Sequence, residues 1–442
     1  MQAITIYDYI LLPFYLLFFY LIVLKKAQQY NGTGLKKIFI TGFSLKMGGA
    51  ILYALVFQYY YGYGDSFGYY RGSLFIRNLI CEGPDYIKNL FLSGAELTNA
   101  GALHGVDPNL MGVLPVEANA MVMKISSLIS FPAFNYYLII ALFFTFFSFA
   151  GAWRLYCTFN EIMKNKSPKL LAWLVLYSPS MCFWASGLNK EAICMGSIGF
   201  ISNILYRIII QKKISIRDLF IFGICFYMLY MVKDYLAVLL LVSLAAAFLG
   251  YYIIARKNFF SKFIVIVVLL LISISVFIYT VSKYTDWIVE ESTSIIETSK
   301  AVYSVDDEGS MGNFTVEDFD VSLTGLIIKT PAAIFSTLYR PLFWETKKPM
   351  MMFSALESFS LMIATLFLII KLKFFRFFST IFSDPYLIFS FTFCILMGVV
   401  VGLTTFNFGT LVRYRLPLLP FYFFLLFAVY QKNKSTEILK EA

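Results

Sequence analysis

Residues Tyr59–Gly72 set one carboxylate, Asp65, and one guanidinium, Arg71, among tyrosines and glycines at the end of an apolar run. A carboxylate there can take a proton from a hydroxyl, and a cation can stabilise a departing phosphate. Gly62, Gly64 and Gly68 allow sharp turns and a close approach of backbone to a ligand. The tyrosines also fit an interfacial aromatic belt with no chemistry attached.

Four further stretches carry charges of both signs. Lys190 and Glu191 follow a Gly187/Asn189 turn, and Lys233 and Asp234 occupy a tight hairpin, MVKDY. Arg340 precedes Pro341, which disfavours further helix, and Glu345 and Glu357 follow. Arg413 and Arg415 bracket Tyr414 just before a final apolar run opened by Pro417 and Pro420. Guanidinium forks match phosphate oxygens, although the same arginines could snorkel to ordinary headgroups. The two hairpins likewise fit plain turns whose charges face water.

These groups must be positioned by membrane spans. The chain has 442 residues, 60% of them hydrophobic and only 14% charged, and an apolar helix of about 20 residues crosses a hydrocarbon core of roughly 30 Å. Eleven spans are expected, at about 9–24, 44–61, 135–156, 170–186, 192–210, 218–232, 235–254, 264–282, 352–370, 386–404 and 416–430. The first is expected to be retained, because the N-terminus lacks the basic leader and cleavage site of a signal peptide. Short loops rich in lysine and arginine, such as those with Lys36 and Lys37 or Lys212, Lys213 and Arg217, fall on one side. That side is the cytoplasm by the positive-inside rule, which puts the N-terminus outside and the C-terminus inside. The net charge of +10 is accounted for by those loops, and nothing points to nucleic acid.

Most acidic residues then map outside, with only Glu161, Asp218, Asp384, Glu437 and Glu441 inside. Two long outer loops dominate, 59–134 and 283–351, and loops of that length usually carry function. In the first, Val116, Met121, Val122, Ile125 and Leu128 recur at helical spacing between polar residues, which predicts an amphipathic helix at the bilayer surface. Tyr86–Leu97 reads as a second such helix and Gly101–Pro108 as a turn. In the second loop, Thr285–Lys300 could be helical, and the acidic run Ser304–Asp320 does not match a calcium loop, so no cofactor or metal is assigned and the run is read as solvated. The six cysteines show no CxxC spacing, and the single histidine, His104, lacks a nucleophile motif. Lys46 is the main intramembrane charge, close enough to the inner surface to snorkel.

Three motifs carry a resemblance. GDSFGYYRG around Asp65, YSPSMCFWASGLNKEA with Pro179, Phe183 and Glu191, and RYRLPLLPFY at Arg413–Tyr422 resemble segments of the multi-spanning glycosyltransferases of the GT-C fold. The resemblance implies a polyprenyl-phosphate-linked sugar donor, a glycan or lipid acceptor, and Asp65 as the catalytic base in the first outer loop. Arg71, Lys190, Glu191, Arg340, Arg413 and Arg415 would then bind phosphate and substrate at the outer face of a bacterial inner membrane. Many of those enzymes carry a paired acidic motif, whereas Asp65 has no acidic neighbour, and the C-terminal periplasmic domain of some members is absent. Polymerases of lipid-linked polysaccharide repeat units are similar in span number and outer-loop arginines. A lipid-linked glycan transporter and a receptor or scaffold remain as other classes.

Overall fold

The structure, a computed structural model, describes residues 3–103, 108–255, 323–346, 349–405 and 407–441. Those residues are helical and form two units, Met1–Asp234 and Tyr235–Ala442. The expected span 264–282, the Thr285–Lys300 segment, the acidic run and His104 lie outside the described residues.

In the first unit, helices α1 (Ile6–Ala27), α2 (Leu35–Leu55), α7 (Tyr137–Ile162), α10 (Lys190–Ile209) and α11 (Ile216–Val232) form a bundle. Helix α7 is its axis, with α1, α2 and α10 all packed on it. Glycines let it approach α10 closely: a Cβ on Gly151 would lie 2.1 Å from the Gly196 carbonyl oxygen, and one on Gly199 would lie 2.0 Å from that of Gly151. Between apolar helices in lipid, association relies on such small residues because burial from water supplies no drive. At the same level of α7, Phe149 and Trp153 pack against Phe39, and the Trp153 indole donates to the Tyr30 hydroxyl at 2.8 Å.

The expected span 170–186 is not one helix. It breaks into α8 (Pro168–Val175) and α9 (Pro179–Phe183), followed by irregular backbone to Asn189. Pro179 lacks the N–H that would continue α8, and Gly187 turns at φ +89°, in the region that favours glycine. Helix α2 packs directly on α9: a Cβ on Gly49 would lie 1.9 Å from the Cys182 carbonyl oxygen.

A layer of shorter helices links α2 to α7. It comprises α3 (Asp65–Cys81), a 3-10 segment Pro84–Phe91, α4 (Gly94–Leu103), α5 (Pro108–Met111) and α6 (Glu117–Ser130). The amphipathic helix predicted at 114–128 is α6, and the one predicted at 86–97 is divided between the 3-10 segment and α4. Two expectations are corrected. Gly68 makes no turn but lies inside α3, and α4 continues through Gly101 to Leu103. Helix α6 also does more than lie on a surface, because Ala120, Val122, Met123, Ser126, Ser127 and Ser130 are buried. Met123 packs so tightly over Gly72 of α3 that a Cβ there would lie 2.3 Å from its sulfur.

The second unit contains α12 (Asp234–Ala255), α13 (Leu323–Tyr339), α14 (Pro349–Leu372), α15 (Phe374–Phe382), α16 (Pro385–Thr404), α17 (Phe408–Tyr414) and α18 (Leu419–Glu441). Helix α13, within the predicted second outer loop, packs closely on α16, where a Cβ on Gly402 would lie 2.2 Å from the Ala333 carbonyl oxygen. It ends at Tyr339, just before Arg340 and Pro341, as the proline requires.

Seven helices among the described residues are long and apolar enough to cross a membrane, with the α17–α18 pair, bent by 64°, as an eighth. This is a helical membrane protein. Of the other expected spans, 218–232 is the 17-residue helix α11 and 170–186 is the broken segment.

The approach of α2 to the broken segment yields a test. Gly49→Val should cost about 1–3 kcal/mol by overpacking against a main-chain carbonyl, whereas Gly48→Ala, which meets nothing within 4 Å, should not lower the unfolding temperature in detergent.

Candidate functional site

Helix α2 continues through a π-helical turn, Val56–Tyr61, then Gly62 takes the left-handed conformation at φ +73° and α3 starts at Asp65. Gly64 is needed for a different reason, since a Cβ there would lie 2.5 Å from the Phe57 ring. Asp65 is exposed in the first turn of α3, where a carboxylate favours the positive end of the helix dipole. The next residue anchors the turn: buried Ser66 accepts a hydrogen bond from the Tyr137 hydroxyl at 3.1 Å. Tyr59, Tyr60 and Tyr63 are 62%, 59% and 64% exposed beside it, and Arg71 is exposed on the same helix.

Three other carboxylates of this region hold structure. Asp8 is fully buried; its Oδ2 accepts from the Thr5 main-chain N–H at 2.8 Å and its Oδ1 from the Leu138 N–H at 2.8 Å, so it caps α1 and α7 together. Sequence reasoning overlooked it, although Thr5 and Asp8 have capping-box spacing. Glu117 accepts from the Gly94 N–H at 2.7 Å. Glu96 accepts from the N–H and hydroxyl of Ser93, and the N–H bond chiefly holds its carboxyl below the usual range. Burial, helped by the charge of Asp8, pushes the Tyr70 hydroxyl up to about 12. Tyr70 therefore stays a donor, to the Asn135 carbonyl at 2.7 Å.

The expected pair of outward hairpins is corrected. Glu191 and Lys233 are both buried, and Lys233 Nζ lies 3.2 Å from Glu191 Oε1. The sequence offered two successive hairpins presenting their charges outward, to substrate or to water; the structure closes one onto the other through an ion pair. Glu191 lies in the first turn of α10 and Lys233 caps the C-terminus of α11, so each charge also suits its helix dipole. Lys190 stays half-buried beside them.

Lys46 does not snorkel either. Only 2% exposed, it donates to the Ser148 hydroxyl at 2.8 Å and to the Ala185 carbonyl of the broken segment at 2.6 Å. Thr145 accepts from the Gly187 N–H at 2.8 Å, and Asn189 donates to the Trp184 and Ser186 carbonyls while capping α10. The irregular backbone thus finds its partners inside the protein.

The second unit holds Arg340, Arg413 and Arg415. Arg415, expected at the outer surface, is fully buried. Its guanidinium donates to the carbonyls of Thr337 and Ser354, each at 3.4 Å, and of Arg340 at 2.6 Å, and Glu357 acts on it electrostatically. It ties the end of α13 to α14, which occupies the group that a phosphate would need. Half-buried Arg340 meets Glu345 at 2.6 Å and lies over the Phe408 ring at 5.1 Å. Glu345 also accepts from the Leu342 N–H at 2.7 Å, fixing the turn after Pro341. Arg413 is half-buried in the last turn of α17.

Asp65, Arg71, Lys190 and Glu191 thus belong to the first unit, and Arg340, Arg413 and Arg415 to the second. Among the described residues no group of three or more His, Cys, Asp or Glu side chains is placed to hold a metal. No protein-family model matches the chain, and no curated protein or solved structure does.

The buried ion pair sets a double-mutant test. Lys233→Met alone should cost about 3–5 kcal/mol by removing the cation that faces a buried carboxylate. Adding Glu191→Leu should restore most of the lost thermal stability in detergent, whereas two surface charges would show small, additive effects.

Proposed function

We propose that this protein assembles an extracytoplasmic glycan, transferring a sugar from a polyprenyl-phosphate-linked donor with Asp65 as general base. The observation that carries the reading is the exposed carboxylate of Asp65 at the start of α3, directly after α2 leaves its span, on a turn anchored by Ser66 and Tyr137. Asp8, Glu96 and Glu117 nearby are bonded to main-chain N–H groups, so their carboxylates serve the fold.

In the proposed step Asp65 accepts the proton of the acceptor hydroxyl as its oxygen bonds to the anomeric carbon. The bond from that carbon to the donor's phosphate oxygen breaks, and the phosphate leaves with the electron pair. Arg71, on the same helix, is the first-unit cation assigned to the developing charge. In the second unit Arg340 and Arg413 are the anion-binding candidates, and Arg415 supports the turn on which Arg340 stands. The reading includes eleven spans, the N-terminus outside and a bacterial inner membrane. Polymerisation of lipid-linked repeat units uses the same donor and differs in product length.

Movement of a lipid-linked glycan across the membrane is the second reading. It is favoured by one observation: Lys46 and the Glu191–Lys233 pair are buried beside a broken helix, as in transporters that bind substrate within the bilayer.

The surface glycan profile of cells carrying Asp65→Asn, beside wild type and a deletion, separates these readings. With the variant at normal membrane level, transfer should fall about 10²- to 10⁴-fold, the usual contribution of a general base, and the glycan band should be lost. A band lost only in the deletion would favour transport, and a band unchanged in both strains would overturn glycan assembly.

A further inference from the structure

The turn after α6 has an unexpected conformation. Phe134 and Asn135 both adopt left-handed backbone, at φ +52° and +64°. A bulky residue there costs free energy that glycine would avoid. The strain does not serve burial of the ring, because Phe134 is 66% exposed and Phe131 40% exposed, while Ala133 between them is buried.

The position of this turn is fixed by a span. The Tyr15 hydroxyl of α1 donates to the Pro132 carbonyl at 2.5 Å. Tyr15 lies about 14 Å along the helix axis from Ile6, at 1.5 Å rise per residue, and its side chain leans back toward the N-terminus. The Pro132 carbonyl is therefore level with the early turns of α1 and not beyond its end. Helix α1 presents a continuous apolar surface there, with Ile10, Phe14, Leu17 and Phe18 between 51% and 66% exposed. In a span that surface faces lipid, and the Phe131–Phe134 turn extends it. The Arg77 guanidinium lies over the Phe131 ring at 4.8 Å, an arrangement suited to the headgroup level, where an arginine keeps its charge among phosphates and its stem over apolar surface.

We propose that Phe131 and Phe134 form a lipid-inserted wedge, seated among the acyl chains of the bilayer that α1 crosses, with Arg77 at the headgroups. The wedge fixes the height of α6, and through the α6–α3 packing that of α3, relative to the membrane surface. The inference rests on the placement of the turn against α1 and is independent of any catalytic role for Asp65.

Phe134→Trp, reconstituted in phosphatidylcholine–phosphatidylglycerol nanodiscs, tests it by the emission added over the five native tryptophans. The added emission should be blue-shifted, mostly lost when the acyl chains are brominated, and shielded from aqueous iodide. Quenching by iodide with no response to bromine would overturn the wedge. So would emission insensitive to both quenchers, the result expected if a second copy of the chain covers the turn. Phe131→Trp provides the same readings should the first variant be poorly produced.

Discussion

The Lys46 side-chain nitrogen, donating to the Ala185 carbonyl and the Ser148 hydroxyl, makes the interaction on which the first unit depends. Backbone that leaves the helical state in a buried apolar interior has no water to satisfy it, so partners must come from the protein. Residues 176–189 meet that demand with Lys46 from α2, Thr145 and Ser148 from α7, and Asn189 within the segment. With the segment fixed, Asn189 can cap α10, and α10 can present Glu191 to Lys233 of α11. Glycine at position 49 leaves the space this arrangement requires.

The second unit solves a similar problem with Arg415. Its guanidinium gathers carbonyls from the end of α13 and from α14, and Glu357 supplies opposite charge nearby. Both units therefore commit long basic side chains to main-chain oxygens in their interiors. Such groups look like ligand-binding charges in a sequence and act in the structure as internal braces. Asp65 differs from them, being an exposed carboxylate at the beginning of a helix, and it carries the proposed chemistry for that reason.

Hydropathy made most of the spans legible, and the 3.6-residue period of Val122, Ile125 and their neighbours made α6 legible. Helix α3 was hidden because three glycines read as turns, whereas only Gly62 takes the left-handed conformation and Gly68 is carried within the helix. The broken span showed itself only as Pro179 and Gly187, which mark an interruption without saying what satisfies the freed backbone. The Glu191–Lys233 pair joins residues 42 positions apart, beyond any local spacing rule. Asp8 did leave a local signal, its spacing from Thr5, but its second partner at Leu138 arises only from tertiary packing. Arg413 and Arg415 stood out as paired guanidinium groups just before an apolar run, but the burial of Arg415 was not legible, because burial depends on helices far away in the chain.

The most direct measurement is turnover by the purified protein in lipid vesicles supplied with polyprenyl-phosphate-linked and polyprenyl-pyrophosphate-linked sugars and a glycan acceptor, following release of the lipid phosphate. The account predicts release by wild type and by Glu96→Gln, whose parent carboxylate serves only α4, and none above background by Asp65→Asn. Equal release by Asp65→Asn and wild type would contradict the assignment of Asp65. Passage of intact donor between leaflets without release would contradict glycosyl transfer itself.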